Sequence, residues 1–144
     1  MRERCDGSAV ILRPRAVSNL ETLSRISEAV ETNGEPPEEL VWPEFEIHEH
    51  QLLDSRLHKG LVGWRCWVAD WEAAFPEWEI QLLETAELED GRILTTHRIS
   101  ARGRSSALKL EEFHAQLWTF RDSKLERMDY FPSTAQARRA AGLA

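Results

Sequence analysis

The chain has 144 residues, 42% of them apolar, and a formal charge of −7; this is the length of one domain able to bury roughly two thirds of its unfolded surface. The negative balance repels polyanions, which argues against nucleic acid and anionic membranes as partners. The longest apolar run near the start, Ala9-Val10-Ile11-Leu12, is far short of the ~20 residues of a membrane span and too short for a signal-peptide core, so the expectation is a soluble, cytoplasmic protein.

Residues 1–15 carry charges without periodicity and read as a surface-laid or mobile leader before a single domain over 16–144. Ser18-Asn19-Leu20-Glu21 has capping-box spacing, and Leu20, Leu23, Ile26 and Val30 then recur at helical intervals up to Asn33-Gly34. Pro36-Pro37-Glu38-Glu39 predicts a short second helix through Trp42, closed by Pro43. Phe45 to His50 alternates like a strand, with Phe45 and Ile47 on one face and Glu46, His48 and His50 on the other. A third helix is predicted between Gly60 or Gly63 and Pro76, its face formed by Trp64, Trp67, Val68, Trp71 and Phe75. Beyond Pro76 the period becomes two: a strand through Trp78, Ile80 and Leu82, a hairpin at Asp90-Gly91, and a strand from Ile93 to Ile99. An exposed turn is expected over Gly103 to Ala107, with Arg102, Arg104 and Lys109 as its solvated rim. Two more strands follow, Leu110–Phe120 and Lys124–Phe131, and a short helix over 135–141. Three N-terminal helices followed by antiparallel strands predict an α+β fold with a curved sheet wrapped around the helices. Cys5 and Cys66 have no disulfide or metal spacing and read as free thiols.

Four strings then resemble one family in order. Val41-Trp42-Pro43-Glu44-Phe45-Glu46-Ile47-His48 is similar to the "DPDVEWH" segment of SnoaL-like proteins, and His58-Lys59-Gly60 through Asp70-Trp71-Glu72-Ala73-Ala74-Phe75 to their "YRGHEG…DWLEAF" helix. Gln116 to Lys124 resembles their "VWTLRDGK" hairpin and Ala140-Ala141-Gly142-Leu143 their "AAGL". The resemblance covers about residues 18–143, and departs at Leu61 and Val62, where the family often has His-Glu. It implies the nuclear transport factor 2-like superfamily: a cone enclosing one pocket, often a homodimer through the outer sheet face, used by polyketide cyclases, ketosteroid isomerases and limonene epoxide hydrolases. It implies no cofactor.

If Asp122-Ser123 is a two-residue turn, Phe120 opposes Leu125, Trp118 opposes Arg127, Gln116 opposes Asp129 and His114 opposes Phe131, all on one face. Ala115, Leu117, Met128 and Tyr130 then form an uncovered apolar outer face suited to a homodimer. The first set mixes apolar groups with convergent polar ones, as a small-molecule site does. Asp129 is the first choice for general base, a role the resemblance places on a last-strand carboxylate; Trp118 and Phe131 would raise its pKa and Arg127 would lower it. His114 and His97 are alternative bases. His48, Trp64, Gln116, Trp118, Arg127 and Phe131 complete the expected substrate-binding set. His48 and His50, with His58 or His114, could be read as metal ligands, but no acidic or cysteine set accompanies them and no metal is expected. Ser105-Ser106 has no nucleophile setting.

Two functions stay open: cofactor-free acid–base catalysis of the cyclase or isomerase type on a hydrophobic or polycyclic substrate, and a non-catalytic ligand-binding or protein-interaction module. An epoxide hydrolase is a further alternative, weakened because Ile99 to Arg102 contains no acid. The isomerase version is weakened too, since Tyr130 falls on the outer face in this register.

Overall fold

The structure is a computed structural model that describes residues 18–50, 55–102 and 109–143. The leader, Cys5, the turn over 103–107 and Ser105-Ser106 lie outside them. Helix α1 (Asn19–Asn33) is capped as predicted: the Ser18 hydroxyl accepts from the Glu21 amide at 3.1 Å, and Gly34 ends it at φ 84°. The second predicted helix shrinks to one 3-10 turn, Glu38–Leu40, because the chain enters strand β1 (Val41–Glu49) directly. Then come β2 (Arg56–Lys59), which the sequence reading missed, and α2 (Gly60–Ala74). Strands β3 (Glu77–Glu87), β4 (Ile93–Arg102), β5 (Lys109–Arg121) and β6 (Lys124–Phe131) precede the closing helix α3 (Thr134–Ala140).

The six strands form one sheet in the order β2-β1-β6-β5-β4-β3. The expected all-antiparallel sheet is in fact mixed, since β1 runs parallel to β6. These two strands are joined through most of the domain, so no hairpin dictates their direction.

The inner face packs on the first two helices. Leu23 and Ile26 of α1 and Trp64 of α2 meet Phe45, Ile47, Ile93, Trp118, Leu125, Met128 and Tyr130. The outer face carries a smaller cluster in which Leu94, Ala115, Leu117 and Phe131 are covered by Ala137 and Ala141. Helix α1 is tied across the sheet by Thr22 Oγ1, which donates to the Ser123 carbonyl at 3.0 Å, and by Asn19 Nδ2, which donates to the Gly91 carbonyl at 2.9 Å. The Trp64 indole donates to the Gly34 carbonyl at 2.9 Å, joining α2 to the end of α1.

The predicted β5–β6 register is correct only next to the turn. Asp122 and Ser123 both have positive φ, as a two-residue hairpin requires, and Phe120 does oppose Leu125. Thr119 then opposes Arg127, so Glu126 is an extra residue, a β-bulge. Every later pair slips by one: Trp118 faces Met128, Gln116 faces Tyr130 and Leu117 faces Asp129. Since a one-residue slip exchanges faces, Met128 and Tyr130 lie inside while Arg127, Asp129 and Phe131 lie outside. The apolar outer strip expected from Ala115, Leu117, Met128 and Tyr130 is therefore divided, and α3 already covers its first half. Beside the same bulge β1 is irregular between Val41 and Glu46, leaving a groove of about 520 Å³ lined by Trp42, Pro43, Glu44, Glu46, Arg121, Glu126 and Arg127.

Trp118 is buried, and its indole donates to Thr95 Oγ1 at 2.8 Å. Trp118→Ala is expected to cost roughly 3–5 kcal/mol through the cavity it opens, read as a shift in the urea midpoint; a loss below about 1 kcal/mol would contradict this packing.

Candidate functional site

The register sets one row of side chains across the inner face of all six strands. Leu82 opposes His97, His97 opposes His114, His114 lies diagonal to Tyr130, Tyr130 pairs with Glu49, and Glu49 pairs with Arg56. His97, His114 and Tyr130 are buried. At the β3 end the row opens: Trp78, Ile80 and Leu82, alternate residues of the edge strand, are 37%, 44% and 57% exposed.

The centre of the row is a hydrogen-bonded chain. His114 Nε2 lies 2.8 Å from a Glu112 carboxylate oxygen, and its Nδ1 meets the Tyr130 hydroxyl. A carboxylate only accepts, so Nε2 carries the hydrogen towards Glu112; in neutral His114, Nδ1 then accepts from the tyrosine O–H. Burial raises the Tyr130 pKa above its ordinary value, and the nearby Glu49 and Glu112 carboxylates push it further in the same direction. Tyr130 is thus a neutral donor and His114 a proton acceptor held in one tautomer. Glu49 also lies 3.4 Å from His58 Nε2. Aromatic groups wall the row from the helix side: Trp67 meets Tyr130 edge-on with centroids 5.5 Å apart, Trp64 meets Trp67, and Trp71 meets Trp78.

Two buried polar atoms have no hydrogen-bond partner among the described residues, His97 Nδ1 and Trp71 Nε1. Such atoms are uncommon in folded proteins and need a reason. Burial, helped by the neighbouring His114, lowers the His97 pKa to about 4.

Of the residues expected at the site, His114, His97, Gln116, Trp64 and Trp118 are on the inner face. Asp129, Arg127 and Phe131 are on the outer face, where the extra residue Glu126 has turned them, and His48 is there too, on the side of β1 opposite Phe45 and Ile47. Asp129 is only 6% exposed there. Arg127 grips it with two bonds of 2.8 and 2.9 Å, and His50 Nε2, stacked on Phe131, lies 2.7 Å away. Burial acts to raise the Asp129 pKa, but the bonds from Arg127 and His50 outweigh it and hold the group below the ordinary carboxylate value. His48 bonds Glu46 at 2.7 Å. Among the described residues no group of three or more metal-ligating side chains converges. Cys66 is free and exposed, and no described helix is long and apolar enough to cross a membrane. Sequence reasoning missed Tyr130, Glu112 and Glu49. The available signal was Leu125-Glu126-Arg127-Met128, where two successive polar residues interrupt an alternation that resumes at Tyr130.

His97 also gives a pH signature. Its folded pKa of about 4 lies below the ordinary histidine value of 6.5, so the unfolded chain binds the proton more readily. The contribution is complete above pH 6.5 and is lost as pH falls towards 4, roughly 3 kcal/mol in all. Urea melts of His97→Gln are expected to show a smaller loss than wild type between pH 7 and 4.5; identical losses would mean that His97 is not buried neutral.

No protein-family model matches the chain, and no curated protein is similar to it in sequence. Solved structures are similar. A protein described as a SnoaL-like polyketide cyclase from Jannaschia sp. CCS1 aligns with a TM-score of 0.64 at 18% identity, over 92% of this chain and 96% of that one. An NTF2-like protein of unknown function from Burkholderia pseudomallei K96243 aligns at 0.66 with 13% identity, over 85% and 96%. A protein with the ketosteroid isomerase-like fold from Catenulispora acidiphila DSM 44928, in complex with trimethylamine, aligns at 0.62 with 12% identity, over 86% and 94%. With α1 and α2 on one face of an open six-stranded sheet and α3 on the other, the chain has the α+β fold of the SnoaL-like and NTF2-like proteins.

Proposed function

We propose that the chain binds an apolar small molecule on the inner sheet face, its body against Trp67, Trp71, Trp78, Ile80 and Leu82 and its polar group towards Tyr130 and His114. Proton transfer between the ligand and His114, without a cofactor, is the chemistry this arrangement supports. The observation that carries the reading is the Glu112–His114–Tyr130 chain, its imidazole and phenol buried and its carboxylate half exposed, at the end of an apolar strip that is open to solvent. Carboxylate, imidazole and phenol in sequence fix where a proton sits and where it can go. Small molecules also occur in structures of this fold, polyporic acid with TerC and trimethylamine in the Catenulispora protein.

Asp129, the base expected from the sequence, has weaker support: its oxygens are engaged by Arg127 and His50, and it lies on the outer face. His97 is the second candidate acceptor. A non-catalytic binding role uses the same site without turnover. Pairing of two copies through the outer face is compatible with either, since Phe113 is half exposed there.

The test is a tryptophan-fluorescence titration with polycyclic ketones and amines. Tyr130→Phe and His114→Asn are each expected to weaken binding about tenfold or more while leaving the melting temperature within a few degrees. Unchanged affinity in both would overturn the site. For catalysis, deuterium exchange beside the ketone carbonyl in heavy water is expected to fall by about 100-fold or more in His114→Asn; no exchange with wild type leaves the binding role as the function.

A further inference from the structure

Taking the inner face as the ligand site, we infer that His97 selects the ligand: its Nδ1 accepts a hydrogen bond from a neutral hydroxyl on the apolar body, so a hydroxylated ketone is preferred over a plain one. The ring is 8% exposed, and Nδ1 is buried with no hydrogen-bond partner among the described residues. Its surroundings keep it so. Across the strands it is flanked by Leu82, which has nothing to donate, and by His114, whose two nitrogens are already engaged by Glu112 and Tyr130. Along β4 its same-face neighbours are Ile99, which is apolar, and Thr95, whose hydroxyl donates to the Gln116 carbonyl at 3.4 Å and accepts from the Trp118 indole. Trp71 Nε1, the other orphan, is a donor, yet the two are not bonded to each other.

The partner that Nδ1 lacks is a donor. Burial keeps the ring neutral, lowering its pKa to about 4. A neutral imidazole carries one N–H, and an N–H buried without an acceptor is the costlier orphan; the hydrogen therefore sits on Nε2 and Nδ1 presents a lone pair. An ammonium group suits it poorly, since a neutral ring cannot compensate a buried charge. A hydroxyl is a donor that crosses the apolar strip of Trp78, Ile80 and Leu82 at a modest desolvation cost. A plain ketone has no hydrogen to give. Gln116, also buried on the inner face, does not make this distinction, because an amide offers both a donor and an acceptor. His97 stands between the strip and the inner pair, one strand from His114 and two from Tyr130, roughly 5–10 Å. With the carbonyl innermost, the hydroxyl then lies across a ring from it.

The experiment is calorimetry at pH 6.5 with three probes of one shape: 6-hydroxy-1-tetralone, 6-methoxy-1-tetralone and 1-tetralone. The hydroxytetralone is expected to bind at least tenfold tighter than either of the others, because only it fills an acceptor that they leave buried and unpaired. In His97→Phe, which keeps a ring and removes the acceptor, the three affinities converge to within about threefold. A second readout needs no variant: by imidazole nitrogen NMR of the wild type, His97 Nδ1 resonates as an unprotonated nitrogen and moves upfield with the hydroxytetralone alone. Equal binding of the three probes, an undiminished preference in His97→Phe, or a proton on Nδ1 would overturn the role of His97 and leave the site reading standing. Failure of all three probes to bind would overturn the site reading itself.

Discussion

One extra residue in β6 decides the character of both faces of the sheet. Glu126 has no place in the register with β5, and beyond it each β6 side chain points opposite to where simple alternation would put it. Without the bulge, Met128 and Tyr130 would leave the core and Arg127 and Asp129 would enter it. Burying the second pair against α1 and α2 would replace apolar contacts with two charges needing full compensation, which costs several kcal/mol even for a well-made pair. The bulge therefore reconciles a tight hairpin at Asp122-Ser123 with a hydrophobic interior. Strand β1 follows with its own irregularity at the same level, where Pro43, which has no amide hydrogen to offer a ladder, is tolerated.

The two faces handle charge differently. Outside, Asp129 is neutralised locally by Arg127 and His50, and Glu46 is held by His48 with Arg127 nearby. Inside, Glu49 lies 3.4 Å from His58 Nε2, and the half-exposed Glu112 bonds His114. A guanidinium compensates a carboxylate at every working pH, whereas an imidazole does so only while protonated. Hence the outer cluster, with both Asp129 oxygens engaged by Arg127 and one of them by His50, behaves as a structural clasp. The most buried carboxylate on the sheet is, for this reason, the less suitable base.

Much of this was legible in the sequence. The capping residue Ser18, the aromatic face of α2, the turns at Asp90-Gly91 and Asp122-Ser123, and the C-terminal helix follow from local rules, and the order of elements identifies the fold. What escaped were features set by partners distant in the chain. Strand β2 is four residues long, Arg-Leu-His-Lys, with little periodicity of its own; it exists because Ile47 and His48 offer it an edge. The parallel pairing of β1 with β6 leaves no local mark either. The bulge did leave one, two successive polar residues before Met128, but a polar doublet alone does not tell a bulge from an exposed strand end. The site assignments inherited that ambiguity: residues on β4, β5 and α2 were placed on the proper face and those on β6 beyond Glu126 were exchanged with their neighbours, while on β1 the alternation was right and His48 lies on the face away from Phe45 and Ile47.

Cover over the inner face is uneven, and this sets the direction from which a ligand can come. Strands β1 and β2 are packed under α2, where Gly63 allows the helix to approach so closely that a β-carbon there would meet the His58 backbone at 2.8 Å. At the opposite edge, β3 is exposed along almost its whole length, and the end of α2 reaches Trp78 through Trp71, itself packed against Phe75. An edge strand with Trp78, Ile80 and Leu82 on one side invites association, and Glu77, Glu79 and Glu84 interspersed along it oppose edge-to-edge pairing through charge. The apolar strip is thus kept open rather than paired away. It leads along the row from Leu82 to His97, whose ring presents an unsatisfied nitrogen, and from there to His114 and Tyr130. Apolar surface outside, an orphaned acceptor next and a proton-holding chain innermost form an order in which a molecule with an apolar body and a polar end would be desolvated before its polar end met the groups able to act on it.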